Sequence, residues 1–103
     1  MLIANIGDLP GRPYQVLGLV KGSVVQSKHV GRDFMASLKT IVGGEIKGYT
    51  EMLVEARQIA TDRMIGDARR LNADAILNVR FESTSIMQNA AELLAYGTAV
   101  KFE

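Results

Sequence analysis

Residues 31–75 read GRDFMASLKTIVGGEIKGYTEMLVEARQIATDRMIGDARRLNADA, and the periodicity of this stretch decides the architecture. Gly31 opens a first helix. Asp33 lies in its first turn, where the helix dipole favours a carboxylate, and Phe34, Leu38, Ile41 and Val42 recur at i, i+4, i+7 and i+8. Gly43-Gly44 ends it, and Glu45 to Gly48 form a polar link. A second, long helix is predicted from about Tyr49 to Leu71. Its apolar stripe is Tyr49, Leu53, Ala56, Ile59, Ala60, Met64, Ala68 and Leu71, and its opposite face carries Glu51, Glu55, Gln58, Asp62 and Arg69. Gly66 costs this helix roughly 1 kcal/mol relative to alanine, which points to a close contact there with a strand or another helix. Asn72 stands where a left-handed capping residue belongs.

Strands flank the helices. Residues 1–13 hold Gly7, Pro10, Gly11 and Pro13, so beyond a short strand at Leu2 to Asn5 they form a turn-rich lead-in. Tyr14 to Ser27 is rich in β-branched residues and reads as one long, bent strand, with Gly18 and Gly22 marking bulges or places of close backbone approach. Residues 75–83 alternate, placing Leu77, Val79 and Phe81 on one face and Asn78, Arg80 and Glu82 on the other. Ser83 to Ala90 form a polar connector. Glu92 to Phe102 make the last strand, where Leu94, Tyr96, Thr98, Val100 and Phe102 oppose Leu93, Ala95, Gly97, Ala99 and Lys101. The order is β-α-α-β-β, an α+β subunit whose three-stranded antiparallel-type sheet packs on one long and one short helix.

With 103 residues the chain has room for one domain and one modest core. Apolar residues make up 48% of it and charged residues 22%, which is greasy for so small a protein and points to burial against another subunit. Twelve Lys and Arg against eleven Asp and Glu leave a net charge of +1, with the signs interspersed. No electrostatic footprint for nucleic acid or an anionic membrane follows from that pattern. Cysteine is absent and histidine occurs once, so disulfides, thiolate metal sites and cages of several imidazoles from one chain are all excluded. Asp8 and Pro10 interrupt the apolar start before a signal-peptide core could form, and a cytoplasmic location is the expectation. Strands that are apolar on both faces, as Tyr14 to Val25 and Leu93 to Phe102 are, tolerate exposure poorly. A closed ring of identical subunits would pair their edges and cover their faces.

Several ordered motifs carry a resemblance. These are residues 29–44 (HVGRDFMASLKTIVGG), Tyr49, residues 55–60 (EARQIA), residues 71–76 (LNADAI) and residues 97–100 (GTAV). Together they resemble the YbjQ-like family of small, functionally uncharacterised bacterial and archaeal proteins over nearly the whole chain. The resemblance implies a dodecin-like α+β subunit, assembly into a homopentamer and a heavy-metal-binding description. The chain departs from the family pattern at Asn72, in place of the usual glycine, at Asn78, where a small glycine-like residue is common, and in the bulky Leu94-Ala95-Tyr96 stretch.

Soft heavy metals take thiolate, thioether or imidazole ligands. Without cysteine, and with the helical methionines serving as packing, the remaining metal candidates are His29 and Asp33, which fivefold symmetry would repeat into a ring. A second constellation is Arg32, Asp33, Glu55 and Arg57. Asp33 with Arg57, or Arg32 with Glu55, would pair within or between subunits, or the four would line a ligand cleft. Gly43 to Gly48 lacks the Lys-Ser/Thr ending of a phosphate-binding loop, and Ser27, His29 and Asp33 have no nucleophile elbow. Tyr14, Tyr49 and Tyr96 are available to stack a flat cofactor. The functional expectation is a homopentameric scaffold or small-ligand-binding module with no catalytic residues and no established cofactor; the alternative is a metal-ion-binding protein with symmetric carboxylate or histidine sites. Copies of itself are the expected partners, with room for a small ligand and with neither nucleic acid nor membrane.

Overall fold

The computed structural model describes residues 1–27, 47–87 and 90–103. The predicted first helix, with Arg32 and Asp33, and His29 ahead of it lie outside the described residues. The elements are β1 (Leu2–Ile3), β2 (Tyr14–Ser27), α1 (Lys47–Arg70), β3 (Ala75–Met87) and β4 (Ala90–Phe102). They form a four-stranded sheet in the order β1-β3-β4-β2.

The sheet is therefore mixed rather than a three-stranded antiparallel one. β1 pairs parallel with β3, Leu2 with Ala75 and Ile3 with Ile76, whereas β2 and β3 both run antiparallel to the central β4. Backbone polar groups need partners, and the lead-in supplies them to β3. Ala4 N–H donates to the Ile76 carbonyl at 3.0 Å, Val79 N–H to that of Ala4 at 3.0 Å and Asn78 N–H to that of Ile6 at 2.8 Å.

Alternation along β3 breaks where the sequence reading carried it straight through. Asn78 has φ 54°, and the pairing shifts between Leu77 and Arg80, so Asn78 and Val79 together oppose Gly97. A left-handed bulge of this kind suits asparagine, the residue that visits this region most readily after glycine. It reverses the faces of everything beyond it. Ile76 and Val79 join the core beneath α1, while Leu77 lies on the other, outer face with Ala75 and Val100. Phe81 pairs with Ala95 on the helix face, and Arg80 and Glu82 pair with Tyr96 and Leu94 on the outer face. Gly97 is required there, since a Cβ would come within 2.7 Å of the Ile76 side chain.

The expected polar connector from Ser83 to Ala90 is strand over most of its length. Cross-strand pairs Ser83 with Leu93 and Thr84 with Glu92 prolong the β3–β4 ribbon. Alternating Ser and Thr residues are compatible with an exposed strand, and this polar character concealed it.

β2 matches its predicted bounds, with a register shift between Val16 and Gly18 (φ 139°). Beyond that shift Val20, Gly22 and Val24 share the helix face with Gly97, Ala95 and Leu93. α1 buries Ala56, Ala60, Met64 and Ala68, an i+4 row of mostly small side chains. The row brings the helix onto Gly22, where any Cβ would collide with the Ala60 carbonyl oxygen and the Met64 nitrogen. Two expectations for α1 are corrected. Leu53 and Leu71, assigned to the buried stripe, are 42% and 43% exposed, because no described residue covers the ends of the stripe. Gly66, read as a close contact, has nothing within 4 Å of a built Cβ, since it points away from the sheet.

Two substitutions test this account. Gly22→Ala should cost about 1–3 kcal/mol or more in denaturant unfolding, because the helix must lift off the strand. Asn78→Gly should be nearly neutral, whereas Asn78→Val should cost roughly 1–2 kcal/mol through its left-handed backbone.

Candidate functional site

The bulge and the short β1 together create a site. β1 ends at Ile3 and the lead-in follows β3 only to Asn78 and Val79, so from Arg80 onward no described strand lies beside β3 on the side away from β4. At the head of this gap is an open groove of about 630 Å³, lined by Ile3, Ala4 and Asn5 on one side and by Val79 to Glu82 and Tyr96 on the other.

Its polar groups are arranged across the outer face. Tyr96 stands opposite Arg80 on one side and Lys21 on the other. Its hydroxyl donates to Glu82 Oε1 at 2.9 Å, and this hydrogen bond, with lesser contributions from desolvation and the Glu82 charge, raises the phenol's pKa. Groove chemistry therefore comprises a guanidinium, a carboxylate, a phenol and the Asn5 amide beside apolar Ile3 and Val79. These groups suit binding of a small polar molecule, and none of them is an activated nucleophile.

The sequence candidates are placed differently. Glu55 and Arg57 are both exposed on α1, and neither has an ion-pair partner among the described residues; their proposed partners Arg32 and Asp33 lie outside them. Tyr14 and Tyr96 do not form one stacking platform. Tyr14 pairs opposite Phe102 and Tyr96 opposite Lys21, about 20 Å apart along the strands, and Tyr49 belongs to the first turn of α1. Tyr14 donates to Asp8 Oδ1 at 2.6 Å, which raises its pKa. Arg80 and Glu82 were legible as the polar face of a strand, but their meeting with Asn5 was not, because no sequence signal pairs the lead-in with β3.

A second polar cluster anchors the end of α1. Asn72, at φ 59°, is the predicted left-handed cap, and Ala73 N–H returns to the Ala68 carbonyl at 3.1 Å. Asp74 then accepts the Phe102 N–H at 2.8 Å and Lys101 Nζ at 3.4 Å. The backbone hydrogen bond from Phe102 is the main cause holding the Asp74 carboxyl below its ordinary pKa, with the charges of Lys101 and Arg12 assisting against desolvation.

The whole chain, residues 1–103, matches a family model described as "Putative heavy-metal-binding". It is 57% identical over 104 residues to a UPF0145 protein of Thermotoga maritima, covering 100% of this chain and 98% of that one. Identity is 59% over 101 residues to a UPF0145 protein of Helicobacter hepaticus, with 98% and 97% covered, and 52% over 101 residues to one of Clostridium novyi, with 98% of each covered. The chain belongs to the YbjQ family. Among solved structures, a protein of unknown function from the DUF74 family of Pediococcus pentosaceus superposes with a TM-score of 0.72 at 15% identity, covering 100% of this chain and 98% of that one. That likeness is one of fold.

The family description can be tested against the donors present. Soft metals need thiolates, thioethers or imidazoles. This chain has no cysteine and one histidine, and Met64, the methionine central to the core, is fully buried in packing. No group of three His, Asp or Glu side chains clusters among the described residues. The described donor set does not fit a heavy-metal site. No helix among the described residues is long and apolar enough to cross a membrane.

Asp74 provides a test of the anchoring cluster. A carboxylate whose folded pKa is lowered adds stability that is present above its unfolded pKa and lost as pH falls through the folded one. Thermal melts should therefore show Asp74→Asn less stable than the parent at pH 7, with the difference shrinking as the pH drops through and below the ordinary carboxylate range.

Proposed function

We propose that the protein is a self-assembling module, a cytoplasmic homopentamer that serves as a scaffold or holds a small ligand at its subunit junctions, without catalysis of its own. The observation that carries this reading is the apolar exposure of an edge strand. Val16, Leu19 and Val25 of β2 are 61%, 68% and 59% exposed, on the outer face of a fourteen-residue strand with no described strand on its far side. Long apolar edges are what soluble monomers avoid. On the other flank Phe81 and Ile86 are 47% and 48% exposed beside the open edge of β3. Two unlike edges on opposite sides of one sheet suit head-to-tail contacts, and a rotation that closes gives a ring.

The groove at Asn5, Arg80, Glu82 and Tyr96 opens at this flank, so a ligand there would sit where copies meet.

Native mass spectrometry of untreated protein tests the reading, because it reports subunit number and any retained small molecule together. A mass of five chains is expected. A single-chain mass at high concentration would overturn the reading.

A further inference from the structure

The two open edges can be matched residue by residue. We propose that the gap beside Arg80 to Ile86 of β3 is filled by residues 19–25 of β2 from a second copy of the chain, running parallel to β3 with the neighbouring copy's Lys21 beside Glu82. This strand supplies the missing wall of the groove. The proposal deepens the reading of the protein as a ring of identical subunits and rests on it.

Direction follows from the bulges and the lead-in. Ala4 and Ile6 occupy the β3 edge at Asn78 and Val79, so an incoming strand has room only from Arg80 onward. β2 bends at Gly18, and Leu19 is the first residue of its straight run. Laid parallel, β2 begins at Leu19 where the lead-in leaves the edge, and it continues the line started by β1, which already pairs parallel with β3. Within a copy β2 and β3 both run antiparallel to β4 and so parallel to each other, and a fivefold rotation, which never reverses a direction, keeps that sense between copies.

Register follows from charge and face. The outer-face residues of β2 are Leu19, Lys21, Ser23 and Val25, and those of β3 beyond the bulge are Arg80, Glu82 and Thr84. Neighbours in one sheet point to the same face, so the stagger between copies must be an even number of residues. Within one copy Lys21 and Arg80 both stand opposite Tyr96, so a stagger of zero sets Lys21 beside Arg80, two like charges. A stagger of two toward the bulge sets Lys21 at Asn78, where Ile6 already accepts the backbone N–H. A stagger of two the other way gives Lys21 beside Glu82, Ser23 beside Thr84, Val25 beside Ile86, and Leu19 along the stem of Arg80. Closing a sheet into a ring requires a stagger of this kind. In an isolated copy α1 stands in for the missing neighbour: Asp67 accepts the Lys21 N–H at 3.2 Å and Arg63 donates to the Ser23 carbonyl at 2.6 Å. The incoming strand takes over those two backbone groups.

The natural absence of cysteine makes cross-linking a clean test. Ser23 and Thr84 are two strands apart within a copy, roughly 10 Å, too far for an intrachain disulfide. The double variant Ser23→Cys/Thr84→Cys, oxidised and run without reductant, should form a ladder of covalent oligomers ending at the ring size and collapsing to one band on reduction. Each single variant should stay uncross-linked. Dimers from Thr84→Cys alone would mean that β3 meets β3 about a twofold axis, overturning the proposal. Absence of cross-links while the native mass remains that of several chains would overturn this contact and leave the ring intact; a native mass of one chain would overturn both.

Discussion

The backbone at Asn78 is the constraint on which the rest depends. One residue in the left-handed region adds a position to β3, and the opposing Gly97 makes room for it. Below this point Ile76 faces α1 and Leu77 faces the lead-in; above it Arg80 and Glu82 take the outer face and Phe81 the helix face. The bulge also turns N–H groups toward Ala4 and Ile6, which ties the lead-in to the sheet and fixes where that protection stops. The groove and the open edge both begin there. A regular strand would have carried the apolar face straight through and left Asn5 with nothing to border.

The second edge is managed by a different device. Gly22 and the alanine row of α1 let helix and strand backbones approach until no side chain fits between them. Only at that distance can Arg63 and Asp67, one turn apart, reach past the sheet to backbone groups of Ser23 and Lys21. Charged side chains over an edge are a known guard against unwanted pairing. Here they cover two groups in the middle of β2 and leave Leu19 and Val25 exposed on either side, so the guard is partial.

Much of this fold was legible in the sequence, and the misses have a common cause. The long helix, the bent strand at Gly18, the close approach at Gly22 and the left-handed cap at Asn72 all follow from local signals: a 3.6-residue period, a glycine inside a strand, an asparagine after a helix. What depended on long-range pairing was missed. The alternation at Leu77, Val79 and Phe81 looked unbroken because Asn78 does not interrupt the pattern of residue types, only the backbone beneath it. Ser83 to Met87 looked like a loop because polar residues on an exposed ribbon carry no burial signal. The parallel pairing of Leu2 and Ile3 with β3 spans more than seventy positions, and it converts a three-stranded reading into four strands. The candidate site suffered most, since the groove joins Asn5 to Arg80, Glu82 and Tyr96 only through that pairing.

The core itself argues for association. Among the described residues, the buried apolar set includes the alanines Ala56, Ala60, Ala68, Ala75, Ala95 and Ala99, and the largest fully buried side chains are Met64, Ile76, Val20 and Val100. Fully burying a valine, leucine, isoleucine or methionine stabilises by about 1.5–3 kcal/mol, and an alanine methyl contributes only a fraction of that. Small residues at the helix–sheet interface give close packing and precise placement but little apolar area. Meanwhile Val16, Leu19, Val25, Val54, Phe81 and Ile86 keep roughly half or more of their surface in water. The area that the described core does not gain from small side chains remains at the edges, where the second copy proposed above would remove it from water.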